Sequence, residues 1–402
     1  MTDVTIPGTY PRYHYGAHLI GTRFTACTDA DLINPSANVL AMPNCPIVVL
    51  NAGLFTPADT FFGMSVQQRA NDSVAGLTFK TVRSHDMENG KGRWQKIETT
   101  AGVFDWADMD SWVSAHYAAG RDIVFTLFGT PTYYSARPTE QGIYGPSNLG
   151  IQAEPSDMSK WDTFCTTVAT RYLGKIKYYE VWNEPNMNNN GTTASGTSFF
   201  FSGTFAKLSE MVRRANQAIK AVDPTAKIIC PAVQGWAASA NASDTYFAGM
   251  VAASSGDGGL TPMKNWFDIV GVHLYPPSVN RVQDLPAIID RLVALKATAS
   301  ISAMEVWDTE SAPIGTGYEV TDLTDDKAWR LMLRHLVITA AKGIARTIYY
   351  QYDHGTMGFA GRTYLIRQRE ALIAELNSGI SGASMFTDGR VVYASSQGQK
   401  VL

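Results

Sequence analysis

A basic excess is missing from this sequence. Lys and Arg total 33 against 36 Asp and Glu, a net charge of −3, and only 17 % of the 402 residues are charged. Such a balance cannot neutralise a phosphate backbone, which excludes nucleic acid as the expected partner. Cysteine is scarce too. Cys27, Cys45, Cys165 and Cys230 are far apart and form no CxxC pair, which argues against a zinc knuckle or a dithiol centre. A Cys27–Cys45 disulfide stays open as an alternative. No segment reaches the ~18 apolar residues of a membrane span. Met1–Tyr15 has neither the basic n-region nor the apolar h-region of a secretory signal. The chain therefore reads as soluble and without a membrane partner. Its cellular address stays open, since export by another route or origin in a larger parent protein would suit the same residues. No GxGxxG follows any apolar run, which removes the dinucleotide-binding doubly wound fold. Internal repeats and low-complexity tracts are absent.

What the chain does have is apolar and aromatic residues in a pattern. Hydrophobic residues make up 45 %, and there are 9 Trp, 18 Tyr and 17 Phe. Most must be core, and a surplus on loops suits stacking on sugar faces. Short β-branched and aromatic runs recur at Thr60–Ser65, Phe79–Ser84, Asp122–Phe128, Ile176–Trp182, Lys227–Pro231, Phe267–Leu274, Ile301–Trp307 and Arg346–Tyr352. Runs of this kind are strands buried on both faces. Helical stripes separate them. From Thr204 to Val222, Leu208, Met211, Val212, Ala215 and Ile219 fall at spacings of mostly three and four before Asp223-Pro224 stops the helix. Similar stripes run over Asp105–Ala119, Leu285–Ala297 and Asp326–Lys342. Strands alternating with helices eight times predict a (β/α)8 TIM barrel.

The flanks read differently. Residues 1–55 are rich in Pro and Asn with one strand-like run, Pro46–Leu50. After Asn377 come turns and short strands, with a hairpin signal at Asp388-Gly389-Arg390. The expected division is an N-terminal β-rich flank (1–55), a catalytic barrel (56–376) and a C-terminal β-element (377–402). The two flanks are expected to pack together beside the barrel. The chain stops inside a strand-like run at Val401-Leu402, as a truncated parent would.

Chemistry in such a barrel sits where strands end. The fourth run leads into Trp182-Asn183-Glu184-Pro185 and the seventh into Trp307-Asp308-Thr309-Glu310-Ser311. Two glutamates thus mark strand ends that can face each other across the mouth. Breaking a glycosidic bond needs this pair: one carboxyl protonates the leaving oxygen while the other, ionised, meets the developing oxocarbenium ion. Asn183 supplies an amide for a sugar hydroxyl, and Arg83, near the end of the second run, would keep a nearby carboxylate ionised. Asp308 shares the strand parity of Glu310 and is its stronger rival, whereas Glu305 has the opposite parity. Glu180 reads as a paired carboxylate inside the barrel. For stacking on sugar, Tyr133 (after the third run) and Trp236 (after the fifth) are the candidates. Met187–Gly191 reads as a solvated polar loop.

The string YYEVWNEPN resembles the fourth-strand motif of glycoside hydrolase clan A, most closely that of family 39 glycosidases and related bacterial exopolysaccharide hydrolases. The resemblance spans about residues 58–365. It implies that Glu184 is the general acid/base, and EVWDTES implies that Glu310 is the nucleophile. TVRSHD implies a site arginine at Arg83, with His85 beside it as a substrate contact. VGVHLYP implies His273 and Tyr275 close to the nucleophile. GRWQKIETTAGVFDWADMD is also similar to a segment of these families. At the eighth strand, where many members carry a Trp platform, this chain has Tyr350, Gln351, Tyr352 and His354, and Tyr352 is taken as a substrate contact.

The expected function is a retaining β-glycoside hydrolase with a carbohydrate substrate, a polysaccharide cleaved internally being favoured. Alternatives are an exo-β-xylosidase-like enzyme and a non-catalytic carbohydrate-binding barrel. An isomerase or aldolase barrel would want a Lys at a strand end or a phosphate-binding Gly loop, and neither is found. No cofactor or metal is expected, because His85, His273 and His354 lack ligand spacing. Oligomeric state is not readable.

Overall fold

The computed structural model describes residues 2–4, 13–15, 47–51, 53–68, 77–142, 144–187, 200–277, 281–312, 325–353, 358, 360–386, 391–395 and 398–401. Three strands precede the barrel: Thr2–Val4 (β1), Tyr13–Tyr15 (β2) and Ile47–Asn51 (β3). Seven of the eight apolar runs then contain a strand, and the remaining one, Ile301–Trp307, overlaps the start of one. The strands are Phe62–Met64 (β4), Thr81–Arg83 (β5), Asp122–Leu127 (β6), Tyr178–Val181 (β7), Lys227–Ile229 (β8), Val270–Val272 (β9), Val306–Ser311 (β10) and Arg346–Tyr349 (β11).

These eight strands are parallel and ordered β8-β7-β6-β5-β4-β11-β10-β9. Parallel bridges Ile229↔Ile269 and Val233↔Val272 join the two ends, so the sheet closes on itself. Gly271 stands at that seam. A Cβ there would lie 2.8 Å from Ile229 Cγ2 and 2.9 Å from the Cys230 carbonyl, so only glycine lets the strands meet. Helices Ala107–Ala118 (α1), Met158–Arg171 (α2), Phe205–Val222 (α3), Ala242–Ala252 (α4), Leu285–Thr298 (α5), Asp325–Ala341 (α6) and Thr363–Asn377 (α7) follow successive strands from β5 onward. Side chains cap the starts of α2, α3 and α4. Thr204 Oγ1 accepts from the Lys207 N–H at 3.2 Å, and Asn241 and Asp244 form a capping box.

The barrel interior holds Val124, Ile229, Ile269, Trp307 and Ile348. Arg346 lies over the rings of Trp307 and Tyr178, 4.0 and 4.6 Å from their centroids, and is neutralised by Asp122 at 2.7 Å. This plug fills the end of the barrel where strands begin and leaves the other end for chemistry. Outside the ring, the apolar helix faces cover the sheet; Trp94, for instance, stacks on Phe164 with centroids 4.9 Å apart.

Two expectations change at β10. This strand starts at Val306 rather than Ile301, so Glu310 lies within it and not beyond its end. The register also shifts between Asp308 and Ser311, which breaks the period-two alternation on which the parity argument rested. Trp307 points into the barrel interior, while Asp308 turns outward to His335 of α6.

The C-terminal strands Ile380–Phe386 (β12), Val391–Ser395 (β13) and Gly398–Val401 (β14) form an antiparallel sheet ordered β14-β13-β12-β3. Strand β3 from the N-terminal flank therefore completes a sheet made by the C-terminal one. Asn51 Nδ2 donates to the Ala341 carbonyl of α6, and Tyr393 Oη donates to Glu375 of α7, which tie this sheet to the barrel helices. The Asp388-Gly389-Arg390 turn, Cys27, Cys45, His354 and residues 188–191 lie outside the described residues. Cys165 and Cys230 are buried free thiols. No helix among the described residues is long and apolar enough to cross a membrane.

Candidate active site

Arg83 ends β5 and is 2 % exposed. Its guanidinium collects three partners from two other strand ends. Nε donates to Glu180 Oε2 at 2.7 Å, Nη1 to Glu310 Oε2 at 2.6 Å and Nη2 to Asn183 Oδ1 at 2.7 Å. Burial alone would lower the pKa of Arg83, but the charges of Glu180 and Glu310 outweigh it and hold the group above its ordinary value. With its oxygen on Arg83, the Asn183 amide turns its nitrogen away from the guanidinium. Glu180 also accepts from Thr126 Oγ1 at 3.0 Å, so it is the buried counter-charge beneath the site.

Glu184 follows β7 on strained backbone. Trp182 and Glu184 have φ of 68° and 41°, the left-handed region that L-residues rarely adopt. The distortion persists because its surroundings fix it. The Trp182 N–H donates to the Leu127 carbonyl, the Pro185 carbonyl accepts from Tyr246 Oη, and Asn186 clamps the backbone of Gln234. His273 Nδ1 lies 2.8 Å from Glu184 Oε1. Tyr275 Oη donates to Glu310 Oε1 at 2.9 Å. His273 and Tyr275 are thus two residues apart on one segment and touch one glutamate each.

Asp308 pins that segment from behind. Its Oδ1 accepts from the Leu274 N–H at 3.0 Å, and its Oδ2 accepts from Ser311 Oγ at 2.5 Å and faces His335 Nε2 at 3.2 Å. Wholly buried and fully engaged, Asp308 is no rival for the cleft.

An oxygen of Glu184, an oxygen of Glu310 and a ring nitrogen of His273 all lie within 4.8 Å of one another. These are also the residues that could hold a cation, which would then occupy both carboxylates. Burial raises Glu310 above the ordinary 4.5; His273 and Arg83 pull it back, and Glu184 and Asp86 add to the rise. For His273, burial pulls downward, yet the charge of Glu310 and the contact with Glu184 leave it above its ordinary value.

His85 is buried, with Nε2 3.0 Å from Tyr144 Oη and its ring edge-on to Phe128. Burial lowers its pKa well below 6.5. Tyr352 is half-buried and its N–H donates to the Ser65 carbonyl at 2.9 Å. Tyr133 is 45 % exposed and donates to the Glu98 carbonyl at 2.5 Å. Trp236 requires a correction. It was expected as a sugar platform, but it is 2 % exposed, packs on Phe247 and donates its indole N–H to the Val233 carbonyl. A face so covered cannot receive a sugar.

Sequence reasoning missed Asp86, Arg93, Tyr144 and a role for Tyr350. Asp86 accepts from Arg93 at 2.5 Å and from Tyr350 Oη at 2.7 Å. Arg93 lies 3.7 Å from the ring centroid of Tyr144. Asp86 follows directly on TVRSH, so its place beside the site was open to view, but Tyr350 reaches it from 264 residues further along the chain.

A closed parallel barrel with two glutamates side by side at its strand-end mouth defines a glycoside hydrolase of clan A. Residues 57–349 match the profile of Cellulase (glycosyl hydrolase family 5), and the chain belongs to that family. Among solved structures, the fold is shared with a family 39 β-xylosidase from Caulobacter crescentus (18 % identity, TM-score 0.56, 87 % of this chain and 80 % of that one). It is shared as well with a glucosidase from Croceicoccus marinus (16 %, 0.58, 85 % and 76 %) and a family 10 protein from Paenibacillus barcinonensis (15 %, 0.51, 73 % and 84 %). No curated protein matches the sequence. The likeness to family 39 read from YYEVWNEPN therefore coexists with membership of family 5, inside one clan.

Proposed function

We propose that the enzyme is a retaining β-glycoside hydrolase in which Glu310 is the nucleophile and Glu184 the acid/base. The observation that carries this reading is the approach of the two carboxylates, an oxygen of each within 4.8 Å of the other. Inverting enzymes need roughly 6.5–9.5 Å to seat a water between the groups, and retaining ones about 5–5.5 Å. Glu310 attacks the anomeric carbon as the glycosidic C–O bond breaks. The electron pair goes to the leaving oxygen, which takes the proton of Glu184. Glu184, now a carboxylate, draws a proton from water; the water oxygen bonds the anomeric carbon and the ester to Glu310 breaks. Arg83 and Tyr275 each hold one oxygen of Glu310, His273 steadies Glu184, and Asn183 offers its amide to the sugar 2-hydroxyl. His85, Tyr352 and the exposed Tyr133 are read as the further sugar contacts.

The substrate is read as a polysaccharide cut internally. The loop from Gly129 to Asp157 is long enough to wall a groove, and the family description, Cellulase, names a polymer-degrading activity. An exo-acting reading draws on the neighbours described as a β-xylosidase and a glucosidase. Time-resolved NMR of the first product tests the mechanism: the β-anomer is expected to appear first, and an initial α-anomer overturns double displacement.

The pH profile gives a second check. Glu310 must be ionised to attack, and its pKa is raised. The acidic limb of kcat/KM, which reports the free enzyme, is therefore expected above the ordinary 4.5, with activity lost as pH falls through it. A limb at or below that value contradicts the raised pKa of Glu310.

A further inference from the structure

The donor side of the cleft differs from the rest of the site. In the ring, β4 lies between β11 and β5, and β11 stands opposite β7, which carries Glu184. The leaving group must lie by Glu184, so the sugar that bonds to Glu310 extends towards β11, β4 and β5. The Asp86–Tyr350 bond spans that side, joining the residues just beyond β5 and β11. Asp86, Tyr350, Tyr144 and Tyr275 all lie within electrostatic reach of Glu310. Carboxylate and phenol therefore surround Glu310 here, with the Gln67–Gln351 amide pair beyond β4 and β11 beside them.

The two cations bonded to these acids are sunk and engaged. The side chain of Arg83 is 1 % exposed and bonded to Glu180 and Glu310, and that of Arg93 is 7 % exposed and bonded to Asp86. The side chain of Asp86 stays 17 % exposed. Burial raises its pKa, but His85, Arg93, Tyr350 and Arg83 together bring it to about 2, so it is an anion throughout the working range. Each Asp86 oxygen accepts one bond from the protein and keeps a lone pair.

We propose that Asp86, held by Tyr350 and Arg93, is a specificity-determining acceptor that binds hydroxyls of an uncharged donor sugar and turns uronic acids away. An ionised carboxylate takes only donors, and a sugar hydroxyl supplies one. A uronate would set its own carboxylate against Asp86 and Glu310, while Arg83 and Arg93 are already engaged by Glu180, Glu310 and Asp86. This inference rests on the glycoside hydrolase reading and narrows it to neutral glycans.

Matched polymers test it: β-1,4-glucan oligosaccharides against β-1,4-polyglucuronate, and β-1,4-mannan oligosaccharides against β-1,4-polymannuronate. Hydrolysis by the wild type is measured together with binding by Glu310→Gln, Asp86→Asn and the double variant. The neutral member of a pair is expected to be cleaved at least ~100-fold better, and Asp86→Asn to lose about 10–100-fold in kcat/KM on it, the scale of a charge-assisted hydrogen bond, while the preference over the uronate shrinks. Tyr350→Phe, which keeps the ring, is expected to lose less. A polyuronate cleaved as well as its neutral partner overturns the inference and leaves the hydrolase reading standing. An equal loss in Asp86→Asn on both members, with the ratio unmoved, makes Asp86 merely structural and also overturns it. Neutral-only binding that Asp86→Asn abolishes, without hydrolysis of any polymer by the wild type, upholds the inference and sinks the hydrolase reading instead.

Discussion

Glu310→Gln is expected to abolish turnover, with a loss on the order of 10⁶-fold, the scale on which hydrolases lose rate when the nucleophile is removed. The physical reason is local. Glutamine keeps the volume, but it has one acceptor oxygen where Glu310 offers two, so it keeps the bond from Tyr275 or from Arg83 and not both; its amide is also a poor nucleophile and carries no charge to meet the developing oxocarbenium ion. Arg83 keeps Glu180 as a partner at 2.6 Å, so one buried counter-charge remains and the barrel is expected to stay folded. The check is kcat on the best polymer, with a melting curve beside it. A variant that folds and retains more than about 1 % of wild-type kcat removes Glu310 from the mechanism.

Glu184→Ala is expected to fail in a different way. On a polymer, whose leaving group is an alcohol, both the proton donation and the later activation of water disappear, and kcat falls by about 10²–10⁴-fold. An aryl glycoside with an acidic phenol needs no proton from the enzyme to depart. The first step is then spared and the second is not, so the glycosyl ester on Glu310 accumulates. Intact-protein mass spectrometry is expected to find a mass increase of one sugar residue, mapping to the peptide that contains Glu310. Equal losses on activated and unactivated substrates, with no adduct, would assign Glu184 a role other than acid/base. The distinction matters because His273 touches Glu184 and Tyr275 touches Glu310, so a general collapse of the site would blunt both variants alike.

Much of the ring could be read from residues alone. β-branched and aromatic runs such as Ile123–Leu127 have no alternative but a strand buried on both faces, and the Leu208–Ile219 stripe no alternative but a helix laid on it. The glutamates were legible because a charge placed directly after such a run, at Trp182-Asn183-Glu184, must face the mouth. Strand β10 was harder. Its register shift between Asp308 and Ser311 leaves no trace in the sequence, and so a parity count assigned Asp308 to the wrong side. Trp236 misled for a related reason: an indole in a loop looks available until tertiary packing on Phe247 covers it. The Asp86–Arg93–Tyr350 group was missed because Tyr350 comes from the other end of the chain and no periodicity links it to Asp86 and Arg93.

The three-way grip of Arg83 has a consequence for how the enzyme comes into being. During synthesis, residues 83 and 180 leave the ribosome long before residue 310. Until β10 arrives, the guanidinium has Glu180 and Asn183 but lacks its third partner. A nascent half-ring can therefore gather the cation and the proton donor, yet it has no attacking group. On the proposed roles, hydrolytic competence requires the last quarter of the polypeptide to dock, and a growing chain without it is expected to be inert towards any glycan it meets.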